Sequence, residues 1–382
     1  MTTAPIHVPA PDAGALLASY LEAFSEDRGY LNFARFGPPS RAVVDTSARL
    51  METAMAGEVG VGKALDVQTL RAREAFARVS GFPLDRVALV PNTSLGLFQA
   101  AFGLESGSVL ISSGEFPANL YPWLRNNRIG RAGVHVMGGP GVHVTPDLVA
   151  GAMSAETVAV AVSAVDFRTG FRADLAGIRD VIGSDRLLAV DGIQAFGAVD
   201  VDWSPADVLV TGGQKWVRAG WGAGGMAFSD AGLERIQPVL GGWTGVVDEH
   251  VHDGTEHETR PDATRFSISA LSPFAAGAFA SALELIESAS VARIEARIAS
   301  GVDALIGCLD EAGVGVLSPR ERADRGGIVV ARVPGGRAAQ AHAALEAEGI
   351  SATLHGEDRI RLSVHATTSH EMFPVAALFC GR

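Results

Sequence analysis

Cysteine is nearly missing from this chain: only Cys308 and Cys380 occur among 382 residues. Two thiols cannot build a disulfide framework, and neither lies in a CxxC or other metal-ligating spacing. The expected state is a pair of buried thiols in a reducing cytoplasm. A basic surplus is missing too. Lys and Arg number 31 against 43 Asp and Glu, for a net charge of -12. That argues against nucleic acid or an anionic membrane as the main partner, since both need a basic face. No apolar run reaches the roughly 18 residues of a membrane-spanning helix. The opening MTTAPIHVPAPDAG lacks the charged leader and apolar stretch of a signal peptide. There is no internal repeat and no low-complexity tract.

What is present is an ordinary soluble composition, 47% hydrophobic and 19% charged, over a length that suggests two domains. Between about residues 65 and 230, short apolar runs alternate with helical patterns. Candidate strands lie at 87–90, 109–111, 134–136, 158–162, 187–190 and 208–210, with helical stretches such as 146–153 and 174–182 between them. Continuous β-branched strands separated by helices predict a mostly parallel sheet covered on both faces. In such sheets ligands bind beyond the carboxyl ends of the strands. Residues 241–261 lack periodicity and read as a long loop. Helices are expected at 273–288 and 291–312. Apolar runs at 327–333 and 359–364 with a helical 337–348 between them predict a smaller α+β domain, joined by the N-terminal segment.

Three of the strand ends carry chemistry. The run 187–190 leads into Asp191-Gly-Ile-Gln194, and 208–210 into Thr211-Gly-Gly-Gln214-Lys215-Trp216. The run 87–90 leads into a helix that opens with Thr93 and Ser94, where free N–H groups and the positive end of the dipole make a phosphate site. An amine, a carboxylate and a phosphate cradle beside one crevice are what pyridoxal 5′-phosphate (PLP) requires. The amine forms a Schiff base, and the carboxylate keeps the pyridine nitrogen protonated.

The run AVDGIQAFGAVDVDWSPADVLVTGGQKWVRAGWGAGGMAFS, 189–229, resembles the cofactor-lysine region of the class V aminotransferases, fold type I PLP enzymes. Their relatives include cysteine desulfurases, kynureninase, isopenicillin-N epimerase and C–S lyases. The resemblance extends from YLNFARFGPPS at residue 30 to IRLSVHATT at residue 360. It implies an α/β fold with a large PLP-binding domain, 30–255, and a small domain from 1–29 plus 256–382. Carried over position by position, Lys215 is the Schiff-base lysine and Asp191 the pyridinium partner. Gln194 lies near the cofactor's phenolic oxygen, Thr93 and Ser94 in the phosphate-binding turn, and Gln214 beside the phosphate. Phe116, in GEFPANLYPW, stands where many members place a ring-stacking His. Arg361 matches the arginine that clamps the substrate carboxylate, with Arg359 as a weaker candidate.

The chain also departs from the family. Phe167 replaces a cofactor-contacting Asn of desulfurases. Ser269 and Ala270 replace a Gly-Thr pair through which a neighbouring subunit often touches the phosphate, and Ser269 could substitute there. Neither cysteine aligns with the persulfide-forming Cys of desulfurases, which argues against relay of sulfur through the chain's own thiol. Two further signals are discounted. GEVGVGKA at 57–64 resembles a nucleotide phosphate loop, but Ala64 replaces its Mg²⁺-binding hydroxyl and helix, not strand, precedes it. His250, His252 and His257 sit in an acidic loop that nothing fixes, so no metal is expected. Arg35, Arg168 and Arg172 are candidates for an additional anionic pocket, although surface arginines are ordinarily solvated.

The expected protein is therefore a cytoplasmic homodimeric PLP enzyme acting on an amino acid. Transamination is placed slightly ahead of β-elimination at a C–S bond, with epimerisation also open. A non-enzymatic PLP-fold binding protein is disfavoured by the intact Lys215 and Asp191.

Overall fold

In the computed structural model, residues 13–139, 141–371 and 373 are described. The apolar runs form a seven-stranded sheet: β1 Val87–Val90, β2 Ser108–Ser112, β3 Gly133–Met137, β4 Thr157–Ser163, β5 Leu187–Asp191, β6 Val208–Gly212 and β7 Gly224–Phe228. Their spatial order is β1-β7-β6-β5-β4-β2-β3. Only β7 runs against the others, antiparallel to both β1 and β6. The strands read as unbroken apolar runs because both faces are buried. Along β4, Val160 and Val162 enter one core, while Ala159 and Ala161 enter the other.

Helices cover both faces. The helix α4, Thr93–Gly103, follows β1 directly, and its Asn92 cap accepts a hydrogen bond from the Leu95 N–H at 2.9 Å. It presses close to the sheet: a Cβ on Gly96 would lie 2.6 Å from a Val210 methyl on β6. Glycine at that position is what lets the N-terminus of α4 reach the end of β6. On the opposite face, Phe76 packs its ring at a tilt against both Phe196 (5.0 Å) and Phe279 (6.1 Å), drawing together a helix spanning Val61–Ser80 and another spanning Pro273–Ala289.

A second sheet is wholly antiparallel, in the order β10-β11-β9-β8, with β8 Gly315–Val316, β9 Ile328–Arg332, β10 Thr353–His355 and β11 Arg359–Ser363. Ile360 and Leu362 point into its core, so Arg359, Arg361 and Ser363 share the other face. The N-terminal segment ties the two sheets together. Leu31 exchanges backbone bonds with Ser351 (3.1 Å) and Ser363 (2.8 Å), and Gly37 then donates its N–H to the Gln214 carbonyl at 2.9 Å.

Residues 57–60, the apparent phosphate loop, form a corner between two helices, Arg41–Ala56 and Val61–Ser80, with Gly57 at φ 59 and Gly60 at φ 91. No strand feeds it. Residues 241–261 hold one short 3-10 turn, Trp243–Gly245, and an isolated bridge from Val246 to Thr259. Among the described residues no single helix is long and apolar enough to cross a membrane. Cys380 lies outside the described residues.

Candidate active site

The carboxyl ends of β5 and β6 converge as the parallel sheet requires. Asp191 is the last residue of β5, only 2% exposed, and its Oδ1 accepts the Ile193 N–H at 2.9 Å. Burial raises its pKa to about 7, opposed by that hydrogen bond and by the charge of Lys215. Lys215 follows β6 on a turn closed by Arg218 N–H to the Lys215 carbonyl at 3.1 Å. Burial lowers its pKa to about 8; Asp191 pulls it up and Arg361 pushes it down. The two groups therefore feel each other in a dry pocket, where an amine can be neutral near physiological pH.

Lys215 is one of only two lysines in the chain, the other being Lys63. That scarcity is a sequence signal for the reactive amine in its own right. Beside it stands Phe116, whose ring centroid lies 5.5 Å from the Lys215 Nζ. Phe116 is 42% exposed and meets Phe167 edge-on at 5.0 Å.

At the other end of the crevice, Thr93 opens α4. Its Oγ1 is buried without a partner, as is that of Thr211 on β6. A Cβ on Gly212 would lie 2.6 Å from the Thr93 hydroxyl and 2.5 Å from the Gln214 amide oxygen. Thr93, Gln214 and the glycine backbone thus line one small space, with first-turn N–H groups of α4, including that of Ser94, lacking intrahelical acceptors. A buried hydroxyl without a partner is costly unless a ligand supplies one. The position fits an anion such as phosphate.

Gln194 is buried in the same region but largely committed. Its Nε2 donates to the Ala34 carbonyl at 2.9 Å, and its Oε1 accepts the Trp216 indole N–H at 2.8 Å. One N–H remains for a ligand. Arg361, on β11, is 6% exposed and donates to the Phe167 carbonyl (3.0 Å) and the Thr353 hydroxyl (3.4 Å), while its Nε has no partner. No carboxylate pairs with it among the described residues, and burial, with Arg35 nearby, lowers its pKa to about 10. Arg359, on the same face, is exposed and paired with Asp358 at 3.2 Å. Phe167 contributes both its carbonyl to Arg361 and its ring to Phe116.

Ser269 is the exception. Within this chain it is exposed and lines a separate groove with Arg73, Arg260 and Asp262. His252 and His257 line another open groove, and His257 lies 3.1 Å from Asp253.

Two groups at the site had no part in the sequence reading. Glu115 is buried beneath Phe116, accepting from the Ser163 N–H (3.0 Å), the Ser163 hydroxyl and the Asn119 amide (3.1 Å). Burial raises its pKa. Its place beside Phe116 in GEFPANLYPW was the available signal. His355, opposite Arg359 on β10, lies 6.1 Å from the Phe167 ring. Burial and then Arg361 lower its pKa to about 4. No sequence signal marked it, because strand register alone brings it to Arg361.

The geometry agrees with the chain's similarities. Over 92% of this chain it resembles the apo structure of a cysteine desulfurase from Thermococcus onnurineus NA1, at 18% identity, TM-score 0.82 and 93% of that chain. It also resembles a lysine-to-alanine mutant of C-DES with glycine covalently linked to the PLP cofactor, at 18% identity, TM-score 0.84, covering 97% of this chain and 99% of that one. C-DES, in a complex with cysteine persulfide, is described as a cystine C–S lyase (19% identity, TM-score 0.83, 92% and 97% covered). In sequence, the chain is 28% identical over 270 residues to the uncharacterized aminotransferase YcbU of Bacillus subtilis (strain 168), covering 67% of this chain and 68% of YcbU. Residues 48–368, most of the chain, match the sequence profile described as "Aminotransferase class-V", and the chain belongs to the class V aminotransferase family.

Proposed function

We propose that this protein binds PLP through Lys215 and acts on the α-amino group of an amino acid, with transamination as its reaction. The observation that carries this reading is the buried Lys215–Asp191 pair at adjacent strand ends, opening onto the cradle of Thr93 and Gln214. Bound PLP supplies an electron sink for the charge left on the substrate's Cα when a bond there breaks.

The chain's own groups supply the rest. Asp191 holds a proton on the ring nitrogen: its raised pKa in the bare pocket falls once a cation sits beside it. Thr93, Ser94 and Gln214 hold the phosphate through hydroxyl, backbone and amide donors, and the partnerless Thr93 Oγ1 supports that assignment. Phe116 would cover the cofactor's ring, and the free N–H of Gln194 would be available to donate to its phenolic oxygen. Arg361 fixes the substrate carboxylate with its planar fork. Displaced from the cofactor by the substrate amine, Lys215 would take the Cα proton on its Nζ, and in transamination the same Nζ would hand that proton back. Phe116 and Phe167 keep water from this path. A homodimer belongs to this reading, with Ser269 offered to the neighbouring subunit's phosphate; its exposure outside its own site supports that role.

Elimination at a C–S bond is the second reading, favoured by the near full-length likeness to C-DES. In that case the Lys215 proton transfer is followed by loss of a thiolate from Cβ. Incubation of the PLP-loaded protein with amino acids and cysteine conjugates separates the two. Transamination leaves keto acid and aminated cofactor without ammonia; elimination gives pyruvate and ammonia with the cofactor unchanged. A protein that develops no visible absorbance band with PLP, or whose band survives Lys215→Ala, overturns both.

A further inference from the structure

Of the three arginines that the sequence offered for an anionic pocket, the structure spends two. Arg168 pairs with Asp166 (3.4 Å), and Arg172 pairs with Glu295 (3.1 Å) and donates to the Asp200 carbonyl at 2.8 Å. Arg35 is different. Its guanidinium has neither an ion pair nor a hydrogen bond among the described residues.

Its backbone places it at the site. The turn carrying it is closed by Arg35 N–H to the Asn32 carbonyl at 3.0 Å. On one side, the Ala34 carbonyl accepts the Gln194 amide at 2.9 Å; on the other, the Gly37 N–H meets the Gln214 carbonyl at 2.9 Å. Arg35 thus projects from the short strip of chain laid between two residues of the crevice. Asn32 in the same turn joins the Thr353 hydroxyl at 2.6 Å, and that hydroxyl accepts from Arg361 at 3.4 Å. Arg35 and Thr353 line one open groove, whose single acid, Glu346, faces His342 at 3.6 Å.

Two guanidiniums without carboxylates therefore flank Thr353, Arg361 buried with a partnerless Nε on one side and Arg35 open on the groove at the other. A lone exposed arginine is ordinarily just solvated. A buried, unpaired one beside it raises the cost of both, because like charges in a partly dry space repel. His355, diagonal to Arg361 across the β10–β11 pair, adds a neutral donor rather than a compensating acid. The α-carboxylate of a substrate neutralises only one of the two cations.

Resting on the reading that the site takes an amino acid, we propose that the substrate carries a second acidic group on its side chain, held by Arg35 while Arg361 holds the α-carboxylate. The group is a carboxylate or a sulfinate, the oxyanions that a guanidinium fork matches.

The test uses the PLP-loaded enzyme with L-aspartate, L-glutamate and cysteine sulfinate against L-asparagine and L-glutamine. The expected result is a kcat/KM preference for acid over amide on the order of 30-fold, the scale of a charge-assisted hydrogen bond. Whether the carboxylates or the sulfinate lead identifies the source of the acid. Arg35→Gln should collapse the ratio towards one, and Arg35→Lys should keep part of it. Calorimetric binding of succinate against succinamate gives the same comparison without turnover. Equal use of acids and amides by the native enzyme, or a preference unchanged in Arg35→Gln, overturns the proposal. If no amino acid reacts or shifts the spectrum, the reading of the preceding subsection fails, while the succinate comparison still decides this one.

Discussion

The two sides of the crevice are built on opposite electrostatic plans. At the ends of β5 and β6, Asp191 and Lys215 have opposite charges, are both buried and bias each other toward ionisation. Beside β11, Arg361 and Arg35 have the same charge and no carboxylate between them. The first arrangement is nearly self-sufficient within the chain; the second is complete only with an anion from outside. On the proposed reading, a permanent cofactor and a transient substrate leave different signatures: the first a buried pair of opposite charge and a few partnerless hydroxyls, the second an excess of one sign.

That contrast can be broken at several points. The largest effect belongs to Lys215→Ala, which should cost roughly 10⁴-fold or more in turnover and abolish the visible band of the PLP-loaded protein; a retained band would place the cofactor elsewhere. Next is Asp191→Asn. The side keeps its shape but loses the charge that holds the ring nitrogen protonated, so turnover should fall on the order of 100- to 1000-fold with PLP still bound. A spectrophotometric titration that shows no change in ring protonation would sink the role assigned to Asp191.

On the substrate side, Arg361→Lys should raise KM and lower kcat/KM by about 30-fold, because a point charge cannot reproduce two parallel N–H donors. A lysine that restored full kcat/KM would show that charge alone, not the fork, is needed there.

The smallest effect is on stability of the PLP-free protein. Asp191, with its pKa raised from 3.8 to about 7, binds more protons folded than unfolded between those values, so its contribution falls as pH rises through that window. Lys215, lowered from 10.5 to about 8, binds fewer protons folded, so its contribution rises with pH between 8 and 10.5. Thermal melts across pH should show both slopes, and Asp191→Asn should remove the lower one. A flat profile would mean that the pair is already solvated.

Much of the cofactor side was legible in the chain. The apolar run 187–190 became β5, and 208–210 became the middle of β6, so Asp191 and Lys215 could be placed at strand ends from pattern alone. Thr93 followed from the same logic at the start of α4. The commitments of Gln194 to Ala34 and Trp216 were not legible, since they depend on where the N-terminal segment crosses the site. Glu115 passed unnoticed because a Glu in a loop reads as solvated until its burial is seen. Ser269 shows the reverse: likeness pointed to the phosphate, while the single chain leaves it exposed on another groove.

By itself the sequence determined the parallel sheet and its strand ends, and it singled out the amine on which the proposed function rests. These follow from local periodicity and from residue chemistry that no packing alters. Only the tertiary structure decided which arginines are spent and which are free. It paired Arg172 with Glu295, far along the chain, left Arg35 alone, and used antiparallel register to set His355 opposite Arg359 and diagonally across from Arg361. The physical reason is that an ion pair between residues distant in sequence is fixed by the path of the backbone, and identical side chains carry no local mark of the partner they will meet.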